Sequence, residues 1–167
     1  AAWPRLQRSL EKLYSLDDDN DVSLIHGWAC PALLVRSRCV EADVALFRRV
    51  YDALPLREGQ PEPMMNIVSW MDAGRCLSVV FPRGKHRPDC YYASDGAKML
   101  VSPGALDMGG LVIMPREEDF AKATPDSVGA ILREVSLQEV DMQAVVDKIK
   151  AVETSSGYSE GGLCAKA

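Results

Sequence analysis

The chain has 167 residues, which is enough for a single domain with a sizeable hydrophobic core. Its formal net charge of -5 argues against the broad basic face that non-specific nucleic-acid binding requires. No apolar run approaches the ~20 residues that a membrane-spanning helix needs. Neither nucleic acid nor a membrane is therefore an expected partner.

Residues 3–16 are predicted to form a helix, because apolar residues recur there every three or four positions. An Asp-rich turn follows. Residues 22–25 and 32–38 are predicted to be strands, since their side chains are largely apolar. Residues 41–54 carry one apolar stripe and are predicted to form an amphipathic helix.

A β-hairpin is predicted in the middle of the chain. Residues 64–71 and 75–81 form its strands, and Asp72-Ala73-Gly74 forms its turn. Shorter apolar segments follow, separated by glycine-containing turns, and they are predicted to be strands as well. These segments cover residues 90–93, 99–102 and 111–114.

The last third of the chain is predicted to be helical. Thr124 is a suitable N-cap, with Pro125 in the first turn behind it, and Ser136 is predicted to cap the helix after that one. The predicted helices cover residues 116–123, 125–135 and 137–152.

Strands in the middle of the chain with helices around them predict an α+β fold with a mainly antiparallel sheet. We expect residues 1–152 to form one domain and the Gly- and Ser-rich residues 153–167 to form a flexible tail. The chain begins with Ala1 rather than methionine, which indicates either a processed protein or a piece of a longer one.

The cysteines are scattered, odd in number, and match neither a zinc site nor a disulfide framework. This predicts reduced thiols and a cytoplasmic protein. His26 lies in an apolar run and is predicted to be a structural, at least half-buried residue. It and His86 have no paired ligands nearby, so no metal site is expected. The cysteines are Cys30, Cys39, Cys76, Cys90 and Cys164.

A compact basic turn follows the hairpin of this acidic chain, at residues 83–88. Arg83 and Arg87 can each bind a phosphate with two parallel hydrogen bonds, and Lys85 can act as a mobile point charge. His86 can donate a hydrogen bond or act as an acid near neutral pH. This set predicts a phosphate-binding site. The alternative is a solvated loop whose charges offset nearby carboxylates.

Asn66 is a polar residue inside an apolar strand, where propensity disfavours it. It either holds neighbouring backbone in place or faces a ligand. Residues 102–110 contain several glycines. They either expose amide donors to a phosphate or sugar, or form a tight connection that needs positive φ angles.

Taken in order, several segments resemble the C-terminal half of the GDP-sugar phosphorylases, the group that contains GDP-L-galactose and GDP-D-glucose phosphorylase. The most specific parts of this resemblance are Glu134-Val135-Ser136-Leu137 and the Asp119-Phe120 pair at a helix start. The chain is also similar to Bacteroidetes proteins with the same Phe-Pro-Arg-x-Lys-His-Arg-Pro turn. The matching segments are residues 65–69, 72–82, 110–113, 115–120 and 131–137.

The resemblance implies a fold like one half of the histidine-triad superfamily and a role in nucleotidyl transfer, with no cofactor. In that family a histidine of a His-x-His-x-Gln/His motif attacks the α-phosphate and forms a covalent intermediate, which phosphate then resolves. The implied ligands are a nucleotide or nucleotide sugar, with guanine as one candidate base, and inorganic phosphate. The upstream segment of the same protein and a second copy in a homodimer are further implied partners.

This chain lacks the catalytic motif, and neither His26 nor His86 supplies it. Two interpretations are open. In the first, the chain is the C-terminal portion of a phosphorylase-like nucleotidyltransferase and contributes Asn66, Arg83, Lys85, His86 and Arg87 to a phosphate site without catalysing a step alone. In the second, it is a non-catalytic scaffold that associates with itself or packs on a partner.

Overall fold

The computed structural model describes residues 9–94 and 96–151. Its centre is an antiparallel five-stranded sheet with strand order β1-β2-β3-β5-β4. The prediction of an α+β fold with a mainly antiparallel sheet is therefore confirmed. The strands are β1 (Leu10–Ser15), β2 (Asp21–Ile25), β3 (Leu33–Ser37), β4 (Met65–Asp72) and β5 (Arg75–Pro82).

Six helices surround the sheet in the described part of the chain. The N-cap of α5 is Thr124, as predicted, because its hydroxyl accepts a hydrogen bond from the backbone N–H of Ser127 (3.1 Å). The predicted cap of the last helix is wrong. Gln138 is its N-cap, whereas the Ser136 hydroxyl donates to the carbonyl of Leu132 (2.6 Å) and closes α5. The helices are α1 (Val40–Ala53), α2 (Asp89–Tyr92), α3 (Ala105–Met108), α4 (Glu117–Lys122), α5 (Pro125–Val135) and α6 (Glu139–Lys150).

Both faces of the sheet are covered, which explains the almost continuous apolar sequence of its central strands. Leu33 and Val35 of β3 pack on one face with residues of α1 and α6. Leu34, between them, points to the other face and packs with Met108 of α3 and Leu132 of α5. The fold thus has two hydrophobic clusters with the sheet between them.

The predicted N-terminal helix is wrong where the structure describes it. Residues 10–15 form strand β1, which pairs antiparallel with β2, and residues 1–8 lie outside the described residues. Only Leu13 of this strand is buried. The helical spacing of apolar residues misled the prediction because the exposed N–H and C=O groups of β2 offer a partner that a short local pattern cannot reveal.

The three short strands predicted after the hairpin are also wrong. Residues 89–92 form the one-turn helix α2, which starts after Pro88. Residues 99–102 and 111–114 form no strand. Leu111 and Ile113 are largely exposed, so their apolar character does not reflect a place in the sheet.

The structure also bears on the predictions about the cysteines and about membrane-spanning segments. The expectation of reduced thiols is confirmed for Cys30, Cys76 and Cys90, which are free. Cys164 and the predicted flexible tail lie outside the described residues. Within residues 9–94 and 96–151, no helix has the length and apolar composition needed for a membrane span.

Asp119 is a fully buried carboxylate that ties α4 to Leu100, in the segment before α3. Its Oδ2 accepts hydrogen bonds from Arg116 Nε (2.8 Å) and from the backbone N–H of Leu100 (2.9 Å), and its Oδ1 accepts from Arg116 Nη2 (2.7 Å). The guanidinium of Arg116 lowers the pKa of this carboxyl. The attachment of α4 to the segment before α3, which contains Leu100, therefore depends on an ionised aspartate.

We expect Asp119→Asn to lower the free energy of unfolding at neutral pH and to make it less sensitive to acid. A carboxyl whose pKa is lower in the folded than in the unfolded state stabilises the folded protein fully above its unfolded-state pKa of about 3.9. This stabilisation disappears as the pH falls through the lower folded-state pKa. Urea unfolding at about pH 7 and about pH 3 measures this. The exposed Asp18→Asn is the control. An unchanged pH dependence in Asp119→Asn would contradict the prediction.

Candidate anion-binding site at the basic turn

The basic turn lies against the C-terminal end of α5. The carbonyl of Val135 accepts hydrogen bonds from the backbone N–H groups of Gly84 (2.9 Å) and Lys85 (3.3 Å). The N–H of Leu137 donates in turn to the carbonyl of Pro82 (3.0 Å). At Gly84 the two segments are so close that a Cβ would stand 2.7 Å from the Ser136 carbonyl oxygen. The approach of α5 therefore fixes the conformation of the turn.

Arg83 is the centre of the turn and is only 7% exposed. Its Nε donates to the carbonyl of Val135 (3.2 Å) and its Nη1 to the carbonyl of Pro103 (2.7 Å). Its Nη2 donates to the carbonyls of Lys85 (3.0 Å) and His86 (2.9 Å). Burial lowers the pKa of this guanidinium.

Asn66 completes the set of acceptors, because its Oδ1 accepts a hydrogen bond from Arg83 Nη1. A guanidinium has five N–H donors, and five acceptors surround this one. The geometry thus makes Arg83 a scaffold of the turn, because the donors with which it was predicted to bind a phosphate all have acceptors within the protein. Asn66 has the matching role of holding Arg83, and both side chains line the concavities described below.

Lys85 points to a pair of carboxylates. Its Nζ lies 2.7 Å from Asp89 Oδ1 and 2.5 Å from Glu134 Oε1. Hydrogen bonds to Asp89 and Glu134 raise the pKa of this ammonium group. The Glu134 carboxylate also accepts from the backbone N–H of Asp89 (2.7 Å). The charge of Lys85 is therefore compensated within the turn, and its side chain does not line either concavity below.

His86 and Arg87 are the two exposed cationic or ionisable side chains of the turn. Both line a concavity of about 470 Å³. The Arg87 guanidinium carbon lies 4.2 Å from the ring centroid of Tyr91, and Arg87 Nε is 3.5 Å from Ser102 Oγ. No carboxylate among the described residues lies within ion-pair distance of Arg87. The remaining lining residues are Asn66, Arg83, Tyr92, Ser102, Pro103 and Gly104.

A second concavity of about 330 Å³ adjoins the first, and both are lined by Asn66, Arg83 and His86. Its other wall is the loop of residues 60–65. Asn66, Arg83, His86 and Arg87 therefore share one surface, to which Glu62 adds a carboxylate on the side of the second concavity. Lys85 faces the carboxylates of Asp89 and Glu134 instead. This surface offers positive charge and hydrogen-bond donors to an anion.

The glycine-containing loop at residues 102–110 is a tight connection. The buried Asp107 carboxylate accepts from the backbone N–H groups of Gly104 (2.8 Å) and Ile113 (2.7 Å). Gly110 has a φ of 104°, which favours glycine. Because these amides have partners within the loop, the loop contributes to the site through Ser102 and the carbonyl of Pro103.

His26 belongs to a different surface. It is exposed, and its Nε2 lies 3.0 Å from Glu11 Oε2, which corrects the expectation of a residue that is at least half-buried. Glu11 also pairs with Lys150 Nζ (2.8 Å), and hydrogen bonds to Lys150 and His26 lower the pKa of this carboxyl. These residues line a separate groove of about 680 Å³. Among the described residues, no group of three or more His, Cys, Asp or Glu side chains is arranged to hold a metal ion.

Sequence reasoning missed Tyr91 and Tyr92, which lie beside the turn. Their rings are 5.2 Å apart, and Tyr91 carries the Arg87 guanidinium on its face. The available signal was the four-residue spacing of Arg87 and Tyr91. That spacing brings the two side chains together here because Tyr91 lies in the helical turn α2, whereas residues 90–93 were predicted to be a strand.

Residues 5–156 match a protein-family model described as GDPGP1-like, C-terminal domain. The match covers most of the chain and confirms the resemblance to the C-terminal part of the GDP-sugar phosphorylases. Comparisons with curated proteins and with solved structures produced no match.

Proposed function

Because the chain belongs to the family of GDPGP1-like C-terminal domains, we propose that it is the C-terminal part of a phosphorylase-like nucleotidyltransferase. Its role is to bind phosphate groups of a nucleotide or nucleotide sugar at the basic turn. The observation that carries the proposal is the exposed Arg87, which faces the concavity together with His86 and is not compensated by a described carboxylate.

The arrangement of charges supports this role. A guanidinium can donate two parallel hydrogen bonds to a phosphate, and fixed donors bind anions better than mobile ones because less side-chain entropy is lost. The Tyr91 ring holds the Arg87 guanidinium at 4.2 Å from its centroid. The backbone of the turn is held by Arg83 through the carbonyls of Lys85 and His86. Arg83 is thus a positioning residue, and His86 and Arg87 contact the anion.

The proposal assigns no catalytic step to this chain. A nucleotidyl transfer through a covalent intermediate needs a nucleophile, and the histidine motif of the resembling family is absent here. What the turn supplies is positive charge near the phosphates, which offsets the negative charge that develops during transfer. The nucleophile comes from a segment upstream of the matched region.

Arg87→Ala is expected to weaken the binding of anions at least ~10-fold, because a charge-assisted hydrogen bond to a phosphate contributes on the order of 1.5–3 kcal/mol. Calorimetric titration at low salt with inorganic phosphate, GDP, ADP and UDP measures this. Arg48→Ala removes the same charge from an exposed position on α1 and should leave the affinity unchanged. Equal affinity in Arg87→Ala and the parent chain would remove the basic turn from the site.

A non-catalytic scaffold is the second candidate function. The observation that favours it is that two of the three cations of the turn, Arg83 and Lys85, have internal partners. If none of the four ligands binds the chain, this candidate replaces the first.

A further inference from the structure

The two concavities at the basic turn carry opposite charges. The first, of about 470 Å³, has the exposed guanidinium of Arg87 in its wall. The second, of about 330 Å³, has the exposed carboxylate of Glu62 in its wall. These two groups lie on either side of the residues that both concavities share. The shared residues are Asn66, Arg83 and His86.

The charge of Glu62 is not compensated within the part of the chain that the structure describes. No ion pair joins its carboxylate to a lysine, arginine or histidine of residues 9–94 and 96–151. Arg57, the arginine nearest to it in sequence, pairs with Asp141 (4.0 Å) and lines neither concavity. The second concavity is therefore exposed to a full negative charge at one wall.

The loop that carries Glu62 also has few hydrogen-bond donors. Pro61 and Pro63 have no backbone N–H. The N–H of Gln60 donates to the carbonyl of Arg57 (3.0 Å) and is not available to a ligand. Carboxylate and carbonyl oxygens only accept hydrogen bonds. This wall therefore suits a group that donates hydrogen bonds, such as a hydroxyl, and opposes a phosphate.

The shared boundary does not reverse this preference. Arg83 contributes no donor to the second concavity, because five acceptors of the protein surround its guanidinium. The exposed guanidinium of Arg87 and the hydroxyl of Ser102 lie in the wall of the first concavity only. The charge of Glu62 acts across the whole second concavity, since a space of about 330 Å³ is roughly as wide as the ~10 Å over which 0.1 M salt screens a charge.

We propose that Glu62 is a specificity-determining residue of the anion-binding site, which admits one phosphate beside Arg87 and excludes a second negative group from the adjoining concavity. The phosphate bound at Arg87 then carries, on the side of Glu62, an uncharged substituent with a hydroxyl that donates to the carboxylate. This inference rests on the proposed function, because it concerns the ligand of the same site.

Calorimetric titration of the full 167-residue chain with inorganic phosphate and with pyrophosphate, at about 10 mM salt, tests the exclusion of charge. We expect Glu62→Gln to raise the affinity for pyrophosphate ~3-fold or more relative to that for phosphate, because the substitution removes the repulsion and nearly preserves the shape of the side chain. The gain should disappear at about 1 M salt, where charges are screened within ~3 Å.

Glu58→Gln is the matched control. It makes the same change at an exposed position of the same loop that lines neither concavity, and it should leave the ratio of the two affinities unchanged. An unchanged ratio in Glu62→Gln overturns the proposal, and so does an equal gain in Glu58→Gln.

A second pair of ligands tests the hydroxyl. Glycerol phosphate and propyl phosphate have the same charge, and only the first carries hydroxyl groups. The parent chain should bind glycerol phosphate ~3-fold or more tightly, and Glu62→Ala, which removes the acceptor, should abolish the difference. Equal affinities in the parent chain overturn the assignment of a hydroxyl to the second concavity.

The same titrations with Arg87→Ala separate the two proposals. If Arg87→Ala weakens the binding of phosphate while Glu62→Gln leaves the affinity ratio unchanged, the anion-binding site stands and the role of Glu62 is refuted. If no anion binds the parent chain, or if Arg87→Ala binds phosphate as the parent does, the anion-binding site and the role of Glu62 are refuted together.

Discussion

Arg83→Lys is expected to destabilise the protein by about 3 kcal/mol, although it preserves the charge. An ammonium group has three donors at a single point and cannot reach the acceptors that surround the planar guanidinium. The carbonyls of Pro103, Lys85 and His86 would lose their side-chain donor. Each buried carbonyl left without a partner costs on the order of 1–3 kcal/mol, so the substitution acts through unsatisfied acceptors rather than through lost charge.

Urea unfolding with linear extrapolation measures this effect, and the slope of the transition should stay the same while its midpoint falls. Arg48→Lys is the matched control, since that side chain is exposed on α1 and pairs with Asp52 four residues on. Its expected change is within about 0.5 kcal/mol. A loss in Arg83→Lys no larger than that in Arg48→Lys would show that the hydrogen bonds of Arg83 are replaceable, for example by water.

Gly84→Ala is expected to cost about 2–3 kcal/mol of stability. The new methyl group would stand 2.7 Å from the carbonyl oxygen of Ser136, well inside van der Waals contact. The Cα that would carry the methyl group and the Ser136 carbonyl both belong to the backbone, so neither can move away easily. Relieving the clash would separate the turn from the end of α5 and stretch the bonds from Gly84 and Lys85 to the Val135 carbonyl.

Gly129→Ala provides a control with the same chemical change and the opposite expected sign. Gly129 lies inside α5, and the nearest atoms to its added methyl belong to the flexible side chain of Arg133, at 3.2 Å. Alanine in a helix interior is favoured over glycine by about 1 kcal/mol, so this variant should be as stable as the parent or more so. If both alanine variants changed the unfolding midpoint alike, the close approach at Gly84 would not be the cause.

Local signals were sufficient for much of the fold. The hairpin of β4 and β5 was predictable because apolar strands flank a short turn, and Ala73 and Gly74 both have positive φ there, at 48° and 75°. The helix after Thr124 was predictable because its cap and its first-turn proline act within three residues. Both features depend on residues that are neighbours in sequence, so the sequence alone reveals them.

The interior of the basic turn was not predictable in the same way. Its composition correctly indicated a cluster of charged residues, but the members of that cluster have different environments in the folded protein. Arg83 is buried because Pro103, Val135 and Asn66 come together around it from three distant parts of the chain. Lys85 is neutralised by Glu134 for the same reason. Contacts of long sequence separation decide which cation faces solvent, and no local pattern encodes them.

The single carbonyl of Val135, which accepts from Gly84, Lys85 and Arg83, also has a consequence for synthesis. Arg83 and Val135 are 52 positions apart. When β5 has left the ribosome, the acceptor that shapes the turn has not yet been made. The concavity lined by His86 and Arg87 is therefore among the last features of this part of the chain to form, and a nascent chain that stops before α5 has the strands of the sheet but lacks the carbonyl that shapes the turn.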